Sequence, residues 1–225
     1  MKKWDALPAN LRTAAVRPYY EALRKNRVSL CCKRAFEIVA SALLTVLLSP
    51  VMLGLAIAIK ADSKGKVMFR QVRVTQYGRE FRIFKFRTMV SDAEKLGSQV
   101  TTNQDSRVTK VGRMLRKCRL DELPQLLNIL KGDMTFVGTR PEVPRYVAHY
   151  TDVMQATLLL RAGVTSETSI LYKDEERLLS EAENADATYV EKVLPEKMKY
   201  NLAYLENYSF WKDIRIMLHT VKAVL

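Results

Sequence analysis

The longest apolar stretch of the chain, Ile38–Ile59, contains no charged residue and has Ser49 and Pro50 at its centre. As one straight helix it would be about 33 Å long, enough to cross a hydrocarbon core of about 30 Å. Pro50 has no N–H for the carbonyl of Val46, and its ring collides with that carbonyl, so the helix is predicted to break there. The hydroxyls of Thr45 and Ser49 are near enough in sequence to bind the freed carbonyl. The pattern therefore predicts two short arms that each reach about half the bilayer depth, Ile38–Leu48 and Val51–Ile59.

Both flanks of this stretch are basic. Five Lys or Arg residues lie in 18–37 and six lie in 60–79. Because positive residues prefer the cytoplasmic side of a membrane, both flanks favour the same side. A re-entrant helix–break–helix that enters and leaves through one leaflet satisfies this preference. A tilted, Pro-kinked spanning helix is the alternative, since membrane helices tolerate proline.

The remaining pattern predicts a helix-rich α+β fold with a small β-hairpin. Residues 67–89 form that hairpin, turned at Tyr77-Gly78, with Phe84 and Phe86 on one face and Lys85 and Arg87 on the other. Helices are predicted over 108–118, from an N-cap at Asp121 to Gly132, over 143–159, from Pro195, and after Ser209. Polar residues in 91–106 and 173–186 indicate loops with short helical pieces.

Amphipathic segments at the two ends of the chain are candidates for the membrane interface. Residues 1–30 are predicted as a basic helical arm that lies at the interface or contacts another subunit. The last two helices fit an interface or an ordinary core equally well. On the final helix one face is predicted to hold Phe210, Ile214, Met217, Leu218 and Val221. The predicted organisation is an arm over 1–37, a membrane element over 38–59 and a cytoplasmic domain over 60–225.

The charge of the chain is uneven. The net charge of +13 divides into +6 over 1–37, +11 over 60–119 and −4 over 120–225. The membrane-proximal half is thus predicted to attract anionic phospholipids and phosphorylated substrates. Three cysteines do not make a disulfide framework, and two histidines make a His/Cys metal cluster improbable on composition. The sequence has no P-loop, dinucleotide fingerprint or nucleophile elbow.

The chemically suggestive stretch is 116–125, which contains the adjacent acids Asp121 and Glu122. Two neighbouring carboxylates cannot point the same way, so they suit different tasks. Arg116, Arg119 and Arg140 are expected to lower the pKa of Asp121 and to neutralise a phosphoryl group. Together these residues suit an aspartyl-phosphate intermediate with a second acid on Mg²⁺. Spacing alone favours a plain helix cap at Asp121, with Glu122 in the first turn, over the aspartyl-phosphate interpretation.

An ordered set of motifs resembles the bacterial sugar transferase family, the monotopic phosphoglycosyl transferases. The resemblance covers roughly 30–225 and rests on Lys33-Arg34, Ser49-Pro50, Lys85-Phe-Arg87-Thr-Met, Leu120-Asp-Glu-Leu-Pro-Gln-Leu, Lys131-Gly-Asp-Met and Gly138-Thr-Arg-Pro141. It implies transfer of a sugar 1-phosphate from a UDP-sugar to polyprenol (undecaprenyl) phosphate with release of UMP. It also implies Mg²⁺, a re-entrant helix, and a place on the cytoplasmic leaflet of the bacterial inner membrane, at the first membrane step of surface glycan assembly.

Carried over by position, the resemblance assigns roles to ten residues. Asp121 would be the nucleophile and Glu122 the Mg²⁺ ligand. Phosphate-binding cations would be Lys85, Arg87, Arg116 and Arg140, and the interfacial anchor and helix break would be Lys33, Arg34, Ser49 and Pro50. The family usually has proline where this chain has Thr139 and Ala162, which predicts a looser Arg140 loop and a less rigid connection to the last helices.

Two alternatives stay open on the sequence. One is a lipid-linked phosphotransferase with direct transfer, in which Asp121 and Glu122 only bind metal. The other is a non-catalytic basic membrane adaptor. Nucleic acid is not an expected partner, because the basic clusters are not combined with a base-stacking array. A homo-oligomer is open, and the sequence does not identify the sugar.

Overall fold

The computed structural model describes residues 1–91, 93, 105–171, 182 and 184–224. Helices surround two small two-stranded sheets, so the helix-rich α+β class with a small hairpin is confirmed. The loops predicted over 91–106 and 173–186 lie mostly outside the described residues. The helices are α1 Arg17–Lys25, α2 Arg27–Leu47, α3 Ser49–Asp62, α4 Lys110–Lys117, α5 Gln125–Lys131, α6 Pro144–Val147, α7 Glu167–Leu171, α8 Ala185–Thr188, α9 Leu194–Glu206 and α10 Phe210–Val224. The strands are β1 Met68–Val74, β2 Glu80–Phe86, β3 Met134–Val137 and β4 Ala162–Thr165.

Helices α2 and α3 are the two halves of the long apolar stretch, and they meet at the predicted break. Their axes differ by 58°. Among the described residues, no single helix has the length and hydropathy of a membrane span, but this bent pair has them when its two helices are taken together. The Oγ of Ser49 donates to the carbonyl of Val46 at 2.7 Å, which satisfies the acceptor that Pro50 leaves without an N–H. Thr45 instead donates to the carbonyl of Ser41. The helix break is therefore confirmed, with Ser49 alone in the supporting role.

The antiparallel pair β1–β2 confirms the hairpin. Its turn places Tyr77 at φ +62° and Gly78 at φ +77°, which lets the chain reverse tightly. Phe81 and Ile83 face a core cluster with Leu126, Ile129 and Met134, and Lys85 lies on that same face of the strand. Phe86 faces the other way and packs with Ile59 and Leu115. The hairpin thus places Lys85 over α5 while it packs its opposite side on α3 and α4.

A second sheet, the parallel pair β3–β4, was absent from the sequence-based expectations. Both strands are four residues long and almost entirely buried, so no alternation marks them. Gly138 and Gly163 lie back to back where the strands meet. A Cβ on Gly163 would lie 2.3 Å from the backbone nitrogen and oxygen of Gly138, so only glycine fits this approach.

We expect Gly163→Ala to destabilise the protein by about 1–3 kcal/mol, because the added methyl must push the two strands apart. Thermal unfolding in detergent measures the effect. Gly54→Ala is the matched control, since a Cβ there meets no atom within 4 Å. An unfolding temperature of Gly163→Ala equal to that of the control variant would show that the strand contact tolerates a methyl group.

The N-terminal segment forms part of the main core. Residues 1–30 make two 3₁₀ turns, Trp4–Ala6 and Ala9–Leu11, followed by α1. The buried apolar residues of this segment pack with β1 and with the helices near the C-terminus; they are Leu7, Leu11, Val16, Tyr20 and Leu23. The expectation of an interfacial or intersubunit apolar face was therefore wrong for these residues, because the chain covers them itself.

One further expectation, on the helices of the second half of the chain, is corrected. Residues 143–159 form α6 and a separate 3₁₀ turn, Met154–Leu159, because the side chains of that turn are buried on all sides and so lack the single inward face of an α-helix. On α10 Asp213 and Ile216 are buried, and Asp213 pairs with Lys33 at 2.7 Å. Leu218 and Val221, two residues of the predicted apolar face, are exposed.

Candidate active site

The two adjacent acids lie on a tight turn rather than at a helix cap. Arg119 adopts the left-handed conformation with φ +54°, and a single 3₁₀ turn, Leu120–Glu122, follows it. Helix α5 begins only at Gln125, after Pro124, so the predicted N-cap role of Asp121 was wrong. The predicted end at Gly132 is confirmed, since Gly132 has φ +82° and closes α5. A left-handed arginine is strained, which is typical of backbone held for function.

Glu122 is held by two cations. Its Oε1 accepts a hydrogen bond from Lys85 Nζ at 2.8 Å and a short one from Arg140 Nη2, and its Oε2 lies 3.4 Å from Arg140 Nη1. Burial alone would raise the pKa of Glu122, but Arg140 and Lys85 hold it well below its usual range. Burial lowers the pKa of Lys85, and the charge of Glu122 opposes that shift. The result is an ionised carboxylate between two cations.

Asp121 lies beside this group and is almost entirely buried, with 8% of its surface exposed. Burial raises the pKa of Asp121 above its usual value, and the neighbouring charge of Glu122 raises it further. Lys85, Arg140 and Arg116 lower that pKa, but they do not outweigh burial. The expectation that arginines set a low pKa for Asp121 was therefore wrong in its net direction, although Arg116 and Arg140 do act in the expected sense.

Arg140 reaches Glu122 from the loop that leaves β3. Gly163 donates its N–H to the carbonyl of Thr139 at 2.8 Å, and Arg140 itself also lies 3.4 Å from the carbonyl of Val164. Ala162, where the family usually has proline, donates its N–H to Thr75 Oγ1 at 3.1 Å. A proline could not make that bond. The expected loss of rigidity at this position is therefore offset by a buried hydrogen bond.

Arg116 belongs to the same region, and Arg87 does not. The Nε of Arg116 donates to Thr88 Oγ1 at 2.9 Å, and its charge acts on Asp121. The guanidinium of Arg87 instead donates to carbonyls at the end of α3, at 2.7 Å to Ser63 and 2.7 Å to Lys64. Arg87 thus closes the last turn of α3, and its predicted phosphate-binding role has no geometric support.

Lys33 and Arg34 contact the protein rather than an interface. Lys33 Nζ lies 2.7 Å from Asp213 Oδ2 and donates to the carbonyl of Val137 at 2.6 Å. Arg34 donates to the carbonyl of Ile129 at 2.8 Å and so closes α5. The pair predicted as interfacial anchors therefore fastens α2 to the core. Ser49 and Pro50 lie at the break between α2 and α3.

Asn128 is a site-building residue that the sequence-based reasoning missed. Its side chain accepts from the N–H of Phe84 at 2.9 Å and donates to the carbonyl of Arg82 at 2.9 Å, which docks α5 on β2. This docking places Lys85 opposite Glu122. A signal was present, since the polar Asn128 lies in the sequence between the apolar residues Leu126 and Ile129, which are both buried.

The acid pair fits a magnesium ion held largely by substrate phosphates. The described residues contain no group of three or more His, Cys, Asp or Glu side chains able to hold a metal, so a cage built from protein ligands is not found there. Mg²⁺ commonly takes only one or two carboxylates together with phosphate oxygens. The pKa of Glu122 is lowered, and among the described residues its Oε2 has a 3.4 Å contact with Arg140 alone, so this oxygen can supply such a ligand.

Comparison with known proteins gives the class to which this fold and acid pair belong. The family model described as bacterial sugar transferase matches residues 28–225, and the chain belongs to that family. A UDP-N-acetylgalactosamine-undecaprenyl-phosphate N-acetylgalactosaminephosphotransferase of Aeromonas hydrophila is 36% identical over 196 residues, which cover 86% of this chain and 43% of that protein. The chain thus spans less than half the length of that curated relative.

Shorter relatives align over more of their length. A UDP-glucose:undecaprenyl-phosphate glucose-1-phosphate transferase of Caulobacter vibrioides is 37% identical over 206 residues, which cover 86% of this chain and 69% of that protein. An uncharacterized sugar transferase of Bacillus subtilis is 33% identical over 193 residues, which cover 86% of this chain and 87% of that protein. Relatives of nearly equal identity are named for different sugars, so identity does not select one.

Proposed function

We propose that this chain transfers a sugar 1-phosphate from a UDP-sugar to undecaprenyl phosphate through a covalent aspartyl intermediate. The observation that carries the proposal is the pair Asp121 and Glu122. The buried carboxylate of Asp121, on which the charges of Lys85, Arg140 and Arg116 act, lies beside a carboxylate held between Lys85 and Arg140. The names of relatives such as those from Aeromonas hydrophila and Caulobacter vibrioides support the same overall reaction.

In the first step a carboxylate oxygen of Asp121 attacks the phosphorus that carries the sugar. The bond from that phosphorus to the bridging oxygen breaks, and UMP leaves with the bond's electron pair. In the second step an oxygen of undecaprenyl phosphate attacks the same phosphorus, and Asp121 is released. Lys85, Arg116 and Arg140, whose charges act on Asp121, would neutralise charge on the transferring phosphoryl group. Magnesium held at Glu122 would supply neutralisation of the charge on the diphosphate of the UDP-sugar.

Burial gives Asp121 its reactivity. A carboxylate in water is a weak nucleophile because it is solvated, and the surrounding protein removes most of that water. The same burial favours the protonated form of Asp121 in the protein without substrate. When the UDP-sugar is bound, the neighbouring cations must therefore help to keep Asp121 ionised. Glu122 needs no such help, since its pKa is already low.

The reaction rate is expected to fall at mildly acidic pH. A raised pKa means that Asp121 takes up a proton at a higher pH than an ordinary aspartic acid, and the protonated acid cannot attack. Glu122 stays ionised over the same range because its pKa is lowered. Initial rates of UMP release between about pH 4 and pH 8 measure this dependence. A rate independent of pH down to the usual range of aspartic acid would contradict it.

We further propose that α2 and α3 form a re-entrant membrane element on the cytoplasmic leaflet. The 58° bend at Ser49-Pro50 and the basic flanks support this topology. Single cysteines at Lys3→Cys and Lys64→Cys, in a background without native cysteines, test it. Neither should react with an impermeant maleimide in intact spheroplasts, and both should react after permeabilisation. Labelling of one position alone in intact spheroplasts would mean a spanning helix.

Intact-protein mass spectrometry tests the covalent step and identifies the donor. The protein is incubated briefly with each of several UDP-sugars and Mg²⁺, without undecaprenyl phosphate. The expected result is a mass gain of one sugar phosphate with one class of donor. UMP release that requires the lipid, with no adduct, would favour direct transfer. The absence of both with every donor would favour the basic membrane adaptor.

A further inference from the structure

A buried ionic cluster lies directly behind Arg140 and takes no part in the proposed chemistry. It consists of Arg73, Glu142, Tyr189 and Lys197, named here the Glu142 cluster. Tyr189 donates a short hydrogen bond to Glu142 Oε1, and Lys197 Nζ lies 3.1 Å from the Tyr189 hydroxyl and 3.7 Å from Glu142 Oε1. Arg73 Nη1 lies 4.0 Å from Glu142 Oε2. Glu142, Tyr189 and Lys197 are each at most 8% exposed.

The cluster is joined to Arg140 by one residue, Pro141. Arg73 Nη1 donates to the carbonyl of Pro141 at 3.0 Å, and the N–H of Val74 donates to the carbonyl of Glu142 at 2.9 Å. The ring of Pro141 fixes its φ, so the backbone between Glu142 and Arg140 has one rotatable dihedral fewer. A displacement of Glu142 therefore also displaces Arg140. The residues that follow Arg140 are therefore fixed by their main chain and by the Glu142 carboxylate.

A carboxylate at this position also separates like charges. Burial lowers the pKa of Arg73, Glu142 raises it, and the nearby charge of Arg140 lowers it again. Arg73 and Arg140 thus repel each other, and Glu142 is the anion that compensates Arg73. Lys197 is a second buried cation that needs the same anion. If Glu142 lost these contacts, Arg140 would be held less firmly, and repulsion from the uncompensated charge of Arg73 would also displace it.

We propose that Tyr189 and Lys197 are positioning residues that act through Glu142 to hold Arg140 against Glu122. Tyr189 lies in the π-helical turn Tyr189–Val193 and Lys197 lies in α9, more than 45 residues beyond Arg140 in sequence. The C-terminal part of the chain thereby shapes the acid pair without touching substrate. The proposal rests on the proposed function in one respect, namely that Arg140 serves the phosphoryl group.

Tyr189→Phe tests the proposal, with Tyr146→Phe as its matched control. The Tyr146 ring stacks on Tyr189 with 4.6 Å between centroids, but its hydroxyl donates to Asp186 at 2.6 Å rather than to Glu142. Both variants lose one hydroxyl from the same aromatic pair. Phenylglyoxal, a reagent for accessible guanidinium groups, is applied to the full chain in detergent, and the modification of Arg140 is measured by peptide mass spectrometry.

We expect Arg140 to be modified at least about threefold faster in Tyr189→Phe than in the wild type and in Tyr146→Phe, since the hydrogen bond to Glu142 is lost only in the first. Equal rates in all three proteins would overturn the proposal. Equal acceleration in both variants would also overturn it, because the effect would then be general loosening. This measurement needs no enzymatic activity, so it decides the positioning role even if the wild type fails to turn over any donor.

Kinetics give a second readout if the wild type is active. Tyr189→Phe should slow UMP release by about tenfold in the wild-type background and by less than about twofold in an Arg140→Lys background, because residues that act through one another are not additive. The same fractional loss in both backgrounds would mean that Tyr189 acts independently of Arg140, which would overturn the proposal. Failure of the proposed function appears separately, as no UMP release from the wild type.

Discussion

Asp121→Asn is expected to abolish the covalent adduct and to reduce turnover by at least about 10³-fold, the scale seen when a catalytic nucleophile is removed. The amide has the size of the carboxylate but cannot form the acyl phosphate bond. Since the side chain is nearly buried and the amide carries no charge, the substitution does not introduce an unpaired ion. The folded protein should therefore survive, and membrane insertion with it. UMP release and intact mass measure the two losses.

Asp133→Asn is the matched control for this experiment. Asp133 lies just beyond α5 and pairs at 2.9 Å with the half-exposed Arg79, so the same chemical change there removes an ion pair that involves neither Asp121 nor Glu122. Its adduct yield and turnover should equal those of the wild type. If Asp121→Asn keeps the adduct, another residue is the nucleophile. If Asp121→Asn loses the adduct but keeps turnover, transfer is direct and the adduct lies off the pathway.

The features that could be predicted from sequence are those set by local chemistry. The helix break depends on the missing N–H of Pro50 and on Ser49, which is adjacent to it, and both are visible in the printed chain. The end of α5 at Gly132 and the hairpin turn at Tyr77-Gly78 are likewise decided by a few neighbouring residues. Arg140 was expected near Asp121, whereas its ion pair with Glu122 was not predicted.

The features that could not be predicted depend on contacts between distant residues. The β3–β4 pair is defined by the contact of Gly138 with Gly163, and neither four-residue strand has a pattern of its own. The net pKa of Asp121 is decided by burial, which requires the packed fold. Arg87 looks like a phosphate ligand beside Lys85, but its partners Ser63 and Lys64, just after α3, lie more than 20 residues earlier in the chain.

Lys33 shows most clearly how a correct motif can carry a wrong role. A basic residue ahead of an apolar stretch is typical of an interface anchor. Here its Nζ is buried against Asp213, the carbonyl of Val137 and the Tyr204 hydroxyl, which also donates to Asp213 at 2.7 Å. The ammonium group therefore joins α2 to β3, α9 and α10. Its loss should be felt as instability of the whole protein rather than as weaker membrane binding.

We accordingly expect Lys33→Met to lower the free energy of unfolding by about 3–5 kcal/mol, because Asp213 is left as an uncompensated buried charge. Adding Asp213→Asn should restore part of that loss, since the amide removes the charge and keeps an acceptor for Tyr204. The exposed Lys25→Met should change stability by less than about 0.5 kcal/mol. Denaturant unfolding in detergent measures all three, and liposome flotation is measured beside it. If Lys33→Met leaves the free energy of unfolding unchanged but weakens flotation, Lys33 is an interfacial anchor after all. A buried partner of Asp213 could not be removed without a loss of stability.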